Sequence, residues 1–189
     1  MAKLILASQS QRRADLLTQI GLKFDIVPSH FDEGTVQKTN PRAYTKKLAW
    51  EKAKAVSRQF NEGIIIGVDT VVYIDQRIIG KPKDVEDAIL TLKALSGRTH
   101  KVVTGLCVIN KDSGKVVKKA VVTAVKFRTL NDKLINRYVQ TGEPLGKAGS
   151  YEIHGKGAML AEWIKGDYYN VVGLPLTTLV KILEKMNAT

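Results

Sequence analysis

The sequence predicts an α/β fold: a mixed, strongly twisted sheet flanked by helices. Three observations carry that expectation. Apolar and β-branched runs read as strands, capped amphipathic stretches read as helices, and the two kinds mix without strict alternation. The 189 residues suit a single domain spanning 1–189, large enough to bury a real core.

Leu4–Ala7 reads as a short buried strand. A helix follows with Ala14, Leu16, Leu17 and Ile20 on one face, Ser10 as its N-cap and Gly21 as its stop. Phe24–Val27 is a second strand and Ser29–Thr39 a polar loop. Asn40-Pro41 is a cap followed by proline at the first helical position, and this helix runs to about Phe60. Ile64–Ile74 is the strongest strand signal, turning at Asp75-Gln76-Arg77 into a hairpin with Ile78-Ile79. Asp84 caps a helix stopped by Gly97, and Lys101–Asn110 and Val116–Phe127 form two long strands. Asn131 caps a helix ended by Gly142, and Glu143–Lys156 is a Gly- and Pro-bearing functional loop. Met159–Ile164 and Tyr168–Val172 read as a hairpin around Lys165-Gly166-Asp167, with a last helix at Pro175–Met186.

Hydrophobic residues at 44% and charged residues at 25% exclude a disordered, collagenous or fibrous chain. Lys+Arg at 30 against Asp+Glu at 18 gives a net charge of +12, which favours polyanionic partners or simply aids solubility. No stretch approaches the ~20 apolar residues that span a bilayer, so no membrane role is expected. The single Cys107 lies in an apolar run and reads as a buried, inert thiol in a reducing, cytoplasmic setting. His30, His100 and His154 stand too far apart in sequence to suggest zinc.

The first site candidate is the strand-to-helix turn Ser8–Arg13. A helix N-terminus offers backbone N–H groups and the positive end of the dipole. Two hydroxyls and the adjacent Arg12 and Arg13 make it a stronger anion site, unless Ser10 only caps and the arginines are solvated. The second candidate is Asp69, a carboxylate inside an apolar strand. That is costly unless the acid is paired or binds a metal. A bulge beside Gly67 that turns Asp69 to solvent is the alternative. Lys81, fixed by Pro82, suits a phosphoryl-transfer site near such an acid. Glu33 in a loop and Lys52 on a charged helix are weaker by themselves. Lys147 and His154 lie among glycines, which admit a ligand to the backbone or mark an ordinary turn.

These residues together resemble the Maf family. Ser8–Arg13 with Leu16-Leu17, Asp32-Glu33, Gly67–Val72, Gly80-Lys81-Pro82, Leu95-Ser96-Gly97 with His100, Glu143-Pro144, Lys147–Tyr151 and Val172–Leu176 recur there in this order, across almost the whole chain. The resemblance implies an elongated, two-lobed α/β domain with a central cleft, distantly related in fold to the inosine triphosphatases. It implies a pyrophosphatase that hydrolyses the α–β bond of nucleoside triphosphates, releasing a monophosphate and pyrophosphate. Asp69-Thr70-Val71 and the Lys-Ala-Gly-Ser-Tyr loop resemble the branch that prefers dTTP and UTP. Asp69 falls at the family's proton acceptor, and Arg12, Thr70 and His154 fall where it sets base specificity. Ser8, Arg13, Lys52 and Lys81 fall at phosphate-binding positions. Glu33 and Asp69 would hold a divalent cation, Mg²⁺ first and Mn²⁺ second. Dimers are common in the family, so the resemblance allows a homodimer.

Three residues depart from the pattern. Gln11 stands where proline is usual, Gly146 where an Asp precedes Lys-Ala-Gly, and His154 where the pyrimidine branch has Gln. An amide sets a donor and an acceptor side by side, whereas a neutral imidazole points them apart. The departure at His154 therefore predicts a broader base range, or a UTP and dTTP preference that weakens as the ring protonates. A nucleic-acid-binding protein without catalysis is the rival reading of the charge. Aromatic content of only 6% and the lack of any helix-turn-helix, RNA-recognition or zinc pattern count against it.

Overall fold

The β-branched run Ile64–Ile74 forms the strand β3, around which the sheet is organised. In the computed structural model, which describes residues 3–188, the earlier strands β1 (Leu4–Leu6) and β2 (Phe24–Ile26) join it. β1 pairs parallel with both β2 and β3, placing Leu6 beside Ile66. β4 (Arg77–Ile79) folds back on β3 as the antiparallel hairpin expected, with Asp75 and Gln76 at positive φ in the turn. β5 (Thr99–Asn110), β6 (Val116–Phe127) and β7 (Ala161–Lys165) complete the sheet. The order among the described residues is β2-β1-β3-β5-β6-β7, with β4 paired to β3: a seven-stranded sheet, mixed in direction as the sequence predicts.

The helices are α1 (Gln11–Gln19), α2 (Pro41–Ser57), α3 (Val85–Leu95), α4 (Asp132–Val139), α5 (Tyr168–Val172) and α6 (Leu176–Glu184). Expected caps at Asn40, Asp84 and Asn131 each accept a backbone N–H two or three residues on. Ser10 occupies the N-cap position of α1, but its side chain makes no capping bond.

The segment Tyr168–Val172 corrects the predicted hairpin. It is α5, and the antiparallel partner of β7 is β6, with Lys165 opposite Ala124. The aromatic and β-branched composition of Tyr168–Val172 suits a strand. Tertiary bonds decide otherwise: the Asp167 carboxylate accepts the Asn170 N–H, and the buried Asn170 amide donates to the Val102 carbonyl and Thr123 Oγ1. The loop Ser29–Thr39 holds a 3-10 turn at Glu33–Thr35, started by Asp32 accepting from the Gly34 N–H.

The chain divides into two compact units. Unit 1 takes the residues up to Asp69, Thr104–Val121, and those from Gly173 on; unit 2 takes Thr70–Val103 and Val122–Val172. In unit 1, α2 packs on the sheet through two glycines. A Cβ on Gly67 would strike the Ala49 carbonyl, and one on Gly105 the Thr45 carbonyl. The core there includes Ile5, Ala49, Ala53, Val56, Ile65 and Cys107. Cys107 is buried as expected, and burial pushes its thiol up to about 12. In unit 2, His100, Phe127 and Tyr151 form an edge-to-face cluster with centroids 4.8–5.5 Å apart. No helix among the described residues is long and apolar enough to cross a membrane.

Candidate active site

Buried positions on α2 recur every four residues at Tyr44, Leu48, Lys52 and Val56, so Lys52 belongs to the stripe that faces the sheet. On β3, Gly67 and Asp69 share a face because side chains alternate along a strand. Close packing at Gly67 therefore brings the Lys52 ammonium against Asp69, Nζ to Oδ1 at 2.6 Å. Asp69 is only 6% exposed. It is the paired acid that an apolar strand demands, and the solvent-facing bulge is excluded. The same ammonium reaches Glu33 Oε1 at 2.7 Å, joining the 3-10 turn to α2 and β3. Burial pushes the Asp69 carboxyl above its ordinary value, against the downward pull of Lys52 and Arg13, while Glu33 raises it further.

The turn after β1 adds cations to these acids. Ser8 is buried, and its hydroxyl oxygen accepts from the Ser10 N–H and from Arg13 Nη1 at 3.0 Å. Arg13 Nε donates to the Gly173 carbonyl at 3.0 Å. Burial lowers the Arg13 guanidinium to about 10, with Asp69 and Glu33 opposing and Arg12 assisting, so it stays cationic at neutral pH. Unit 1 thus brings together Ser8, Arg12, Arg13, Glu33, Lys52 and Asp69. Tyr44 was not singled out in the sequence. It is 7% exposed, and burial raises its hydroxyl, reinforced by Asp69 and Glu33. It also lines a cavity of about 540 Å³ with Phe31, Thr35, Val36, Lys47 and Glu51.

Unit 2 carries Thr70, Lys81 and His154. Thr70 is half-buried beside Asp69 in the chain, and Lys81 is exposed. The Gly149 N–H donates to the Gly80 carbonyl at 2.9 Å, which ties the turn bearing Lys81 to the loop bearing His154. That loop is more ordered than glycine content suggests. Glu143 accepts from the Tyr138 hydroxyl and from the Lys156 and Gly157 N–H groups. His154 Nε2 lies 3.0 Å from Glu152 Oε1, and Lys147 Nζ lies 3.0 Å from Glu152 Oε2. Glu152 carried no local signal in the sequence, and Gly173 entered it only within the Val172–Leu176 motif; the contacts of both become visible only in the fold. Among the described residues, no cluster of three or more His, Cys, Asp or Glu side chains is gathered as a ready-made metal site.

Comparison with known proteins follows the same residues. The family model described as Maf-like protein matches residues 3–186. The chain is 50% identical over 181 residues to the dTTP/UTP pyrophosphatase of Thermococcus onnurineus, covering 96% of each. It is 45% identical over 188 residues to the dTTP/UTP pyrophosphatase of Ruminiclostridium cellulolyticum, covering 99% of this chain and 97% of that one. Among solved structures, the Staphylococcus aureus Ham1 protein matches with a TM-score of 0.56 at 14% identity, over 97% of this chain and 99% of that one. A HAM1 protein from Coxiella burnetii matches with a TM-score of 0.51 at 15% identity, over 98% and 100%. At such identities these two likenesses speak to the fold alone.

Proposed function

The chain belongs to the Maf-like protein family, and on that premise we propose that it hydrolyses nucleoside triphosphates, dTTP and UTP foremost, to the monophosphate and pyrophosphate. The reading treats residues 1–189 as one catalytic domain. The observation that supports it most is the Lys52 ammonium held between Glu33 and Asp69, within the electrostatic reach of Arg13.

In the proposed reaction a water oxygen bonds to the α-phosphorus and the α–β bridging P–O bond breaks. Asp69 takes the water proton. Its burial makes the carboxylate a better base than one in solvent, and positioned proton transfer contributes ~10²–10⁴-fold. Ser8, Arg13, Lys52 and Lys81 hold the polyphosphate, and cations placed where charge develops are a leading catalytic contribution. Arg12, Thr70 and His154 read the base. The donor set fits a divalent cation, since Asp69 and Glu33 direct hard carboxylate oxygens at one point, now shared by an ammonium. Mg²⁺, or Mn²⁺, would be held by Glu33 and Asp69, and when bound it neutralises phosphate charge and polarises water.

The test is product analysis with a panel of triphosphates and Mg²⁺. Pyrophosphate and monophosphate in equal amounts are expected, with dTTP and UTP the best substrates. Orthophosphate and diphosphate as products would overturn the assignment of the cleaved bond.

A further inference from the structure

The contacts of the Glu152 carboxylate include two donors of its own loop, Lys147 and His154. Buried Tyr151 and Ile153 alternate with Glu152 and His154. The Glu152 backbone N–H is fixed by the hydroxyl of fully buried Tyr138 at 3.1 Å. One carboxylate oxygen takes Lys147 and the other takes His154 Nε2, each at 3.0 Å. The side chain of Glu152 is 12% exposed, so solvent competes little for those oxygens.

We propose that Glu152 is a positioning residue for base selection: it fixes the tautomer of His154 and so makes the ring an acceptor toward the base. The inference rests on the pyrophosphatase reading and on His154 facing the base. An ionised carboxylate only accepts hydrogen bonds, and Lys147 only donates. The contact at Nε2 is therefore an N–H donating to Glu152. In the neutral ring the lone pair then lies on Nδ1. An acceptor there matches the N3–H of uracil or thymine. It sets lone pair against lone pair at N3 of cytosine, which carries no hydrogen. The pair Glu152–His154 thus reads the keto pyrimidines without the side-by-side donor and acceptor of an amide. This narrows the base range that the histidine alone predicts.

Glu152→Gln reverses the logic at constant shape. Lys147 has only donors, so it draws the amide oxygen, and the amide NH₂ faces His154. Nε2 must then accept, and the proton moves to Nδ1. Two measurements follow, both on the full chain. Ring ¹⁵N chemical shifts, assigned with His154→Gln, report which nitrogen is protonated without any turnover. The ratio of kcat/KM for UTP over CTP reports base reading. The expected result is an Nε2–H ring in the wild type and an Nδ1–H ring in Glu152→Gln. The UTP:CTP ratio should fall about tenfold, the worth of one hydrogen bond. An Nδ1–H ring in the wild type, or an unchanged tautomer in Glu152→Gln, overturns the proposal. A tautomer that moves while the ratio stays fixed overturns the role in base selection and leaves the pyrophosphatase reading standing. A wild type that turns over no triphosphate overturns that reading itself, and the base-reading role falls with it.

Discussion

Replacing Gly67 by alanine places a methyl group against the inner face of α2. The added Cβ would meet Ala53 Cβ at 2.8 Å and Ala53 N at 2.9 Å, besides the Ala49 carbonyl. Carbon contacts settle near 3.5–4.0 Å, so the helix must retreat by about 1 Å. The Lys52–Asp69 bond of 2.6 Å is then stretched toward or beyond the ~3.5 Å at which a hydrogen bond is lost. Overpacking of this kind costs about 1–3 kcal/mol of stability. A misplacement of ~1 Å at reacting groups costs about 10²-fold in rate. Gly67→Ala should therefore lower the urea midpoint and reduce kcat/KM for UTP by about two orders of magnitude. Gly80→Ala, where a Cβ meets nothing within 4 Å, is the control and should leave the urea midpoint unchanged. If Gly67→Ala keeps wild-type stability and kcat/KM within twofold, the close packing does not position Lys52.

Asp69→Asn keeps the shape and removes the charge. It should lower kcat by ~10²–10⁴-fold, and a kcat near wild type would remove Asp69 from the chemistry. Arg13→Ala and Lys81→Ala should each reduce kcat/KM by a similar factor for every triphosphate, about 1.5–3 kcal/mol apiece; a loss confined to one base would move the residue to base recognition. Burial lowers buried His100 to about 4 from an ordinary value near 6.5. The unfolded chain therefore takes up the proton first, and stability present above about pH 6.5 drains away toward pH 4, by about 3 kcal/mol. Urea unfolding of the wild type and of His100→Phe between pH 7.5 and 4.5 checks this, and parallel pH profiles would refute it.

Local chemistry made much of the fold legible. Asn40-Pro41, Asp84 and Asn131 start helices through bonds spanning two or three residues, and β3 is a run of β-branched side chains that needs no distant information. The same reasoning failed at Tyr168–Val172, where the deciding bonds run to Val102 and Thr123. At the candidate site, a carboxylate in an apolar strand announced its need for a counter-charge. Which cation would answer was hidden, because Lys52 reads as one more lysine on a charged helix until the four-residue stripe is seen to face the sheet. Ser10 looked like a cap by its spacing, yet it is Ser8 whose hydroxyl accepts the local N–H and Arg13. His154 was visible as a departure, whereas its anchoring by Glu152 depends on how a turn folds over itself.

The bond from Arg13 to the Gly173 carbonyl joins residues 160 apart. During synthesis, the guanidinium leaves the ribosome long before the oxygen that orients it exists. A nascent chain that has made β1 and α1 therefore already holds the Ser8 hydroxyl that accepts from Arg13 Nη1, but not the Gly173 carbonyl that accepts from Nε. A chain stopped between Asp69 and Gly173 would carry Glu33, Lys52 and Asp69 but not this acceptor of the Arg13 guanidinium.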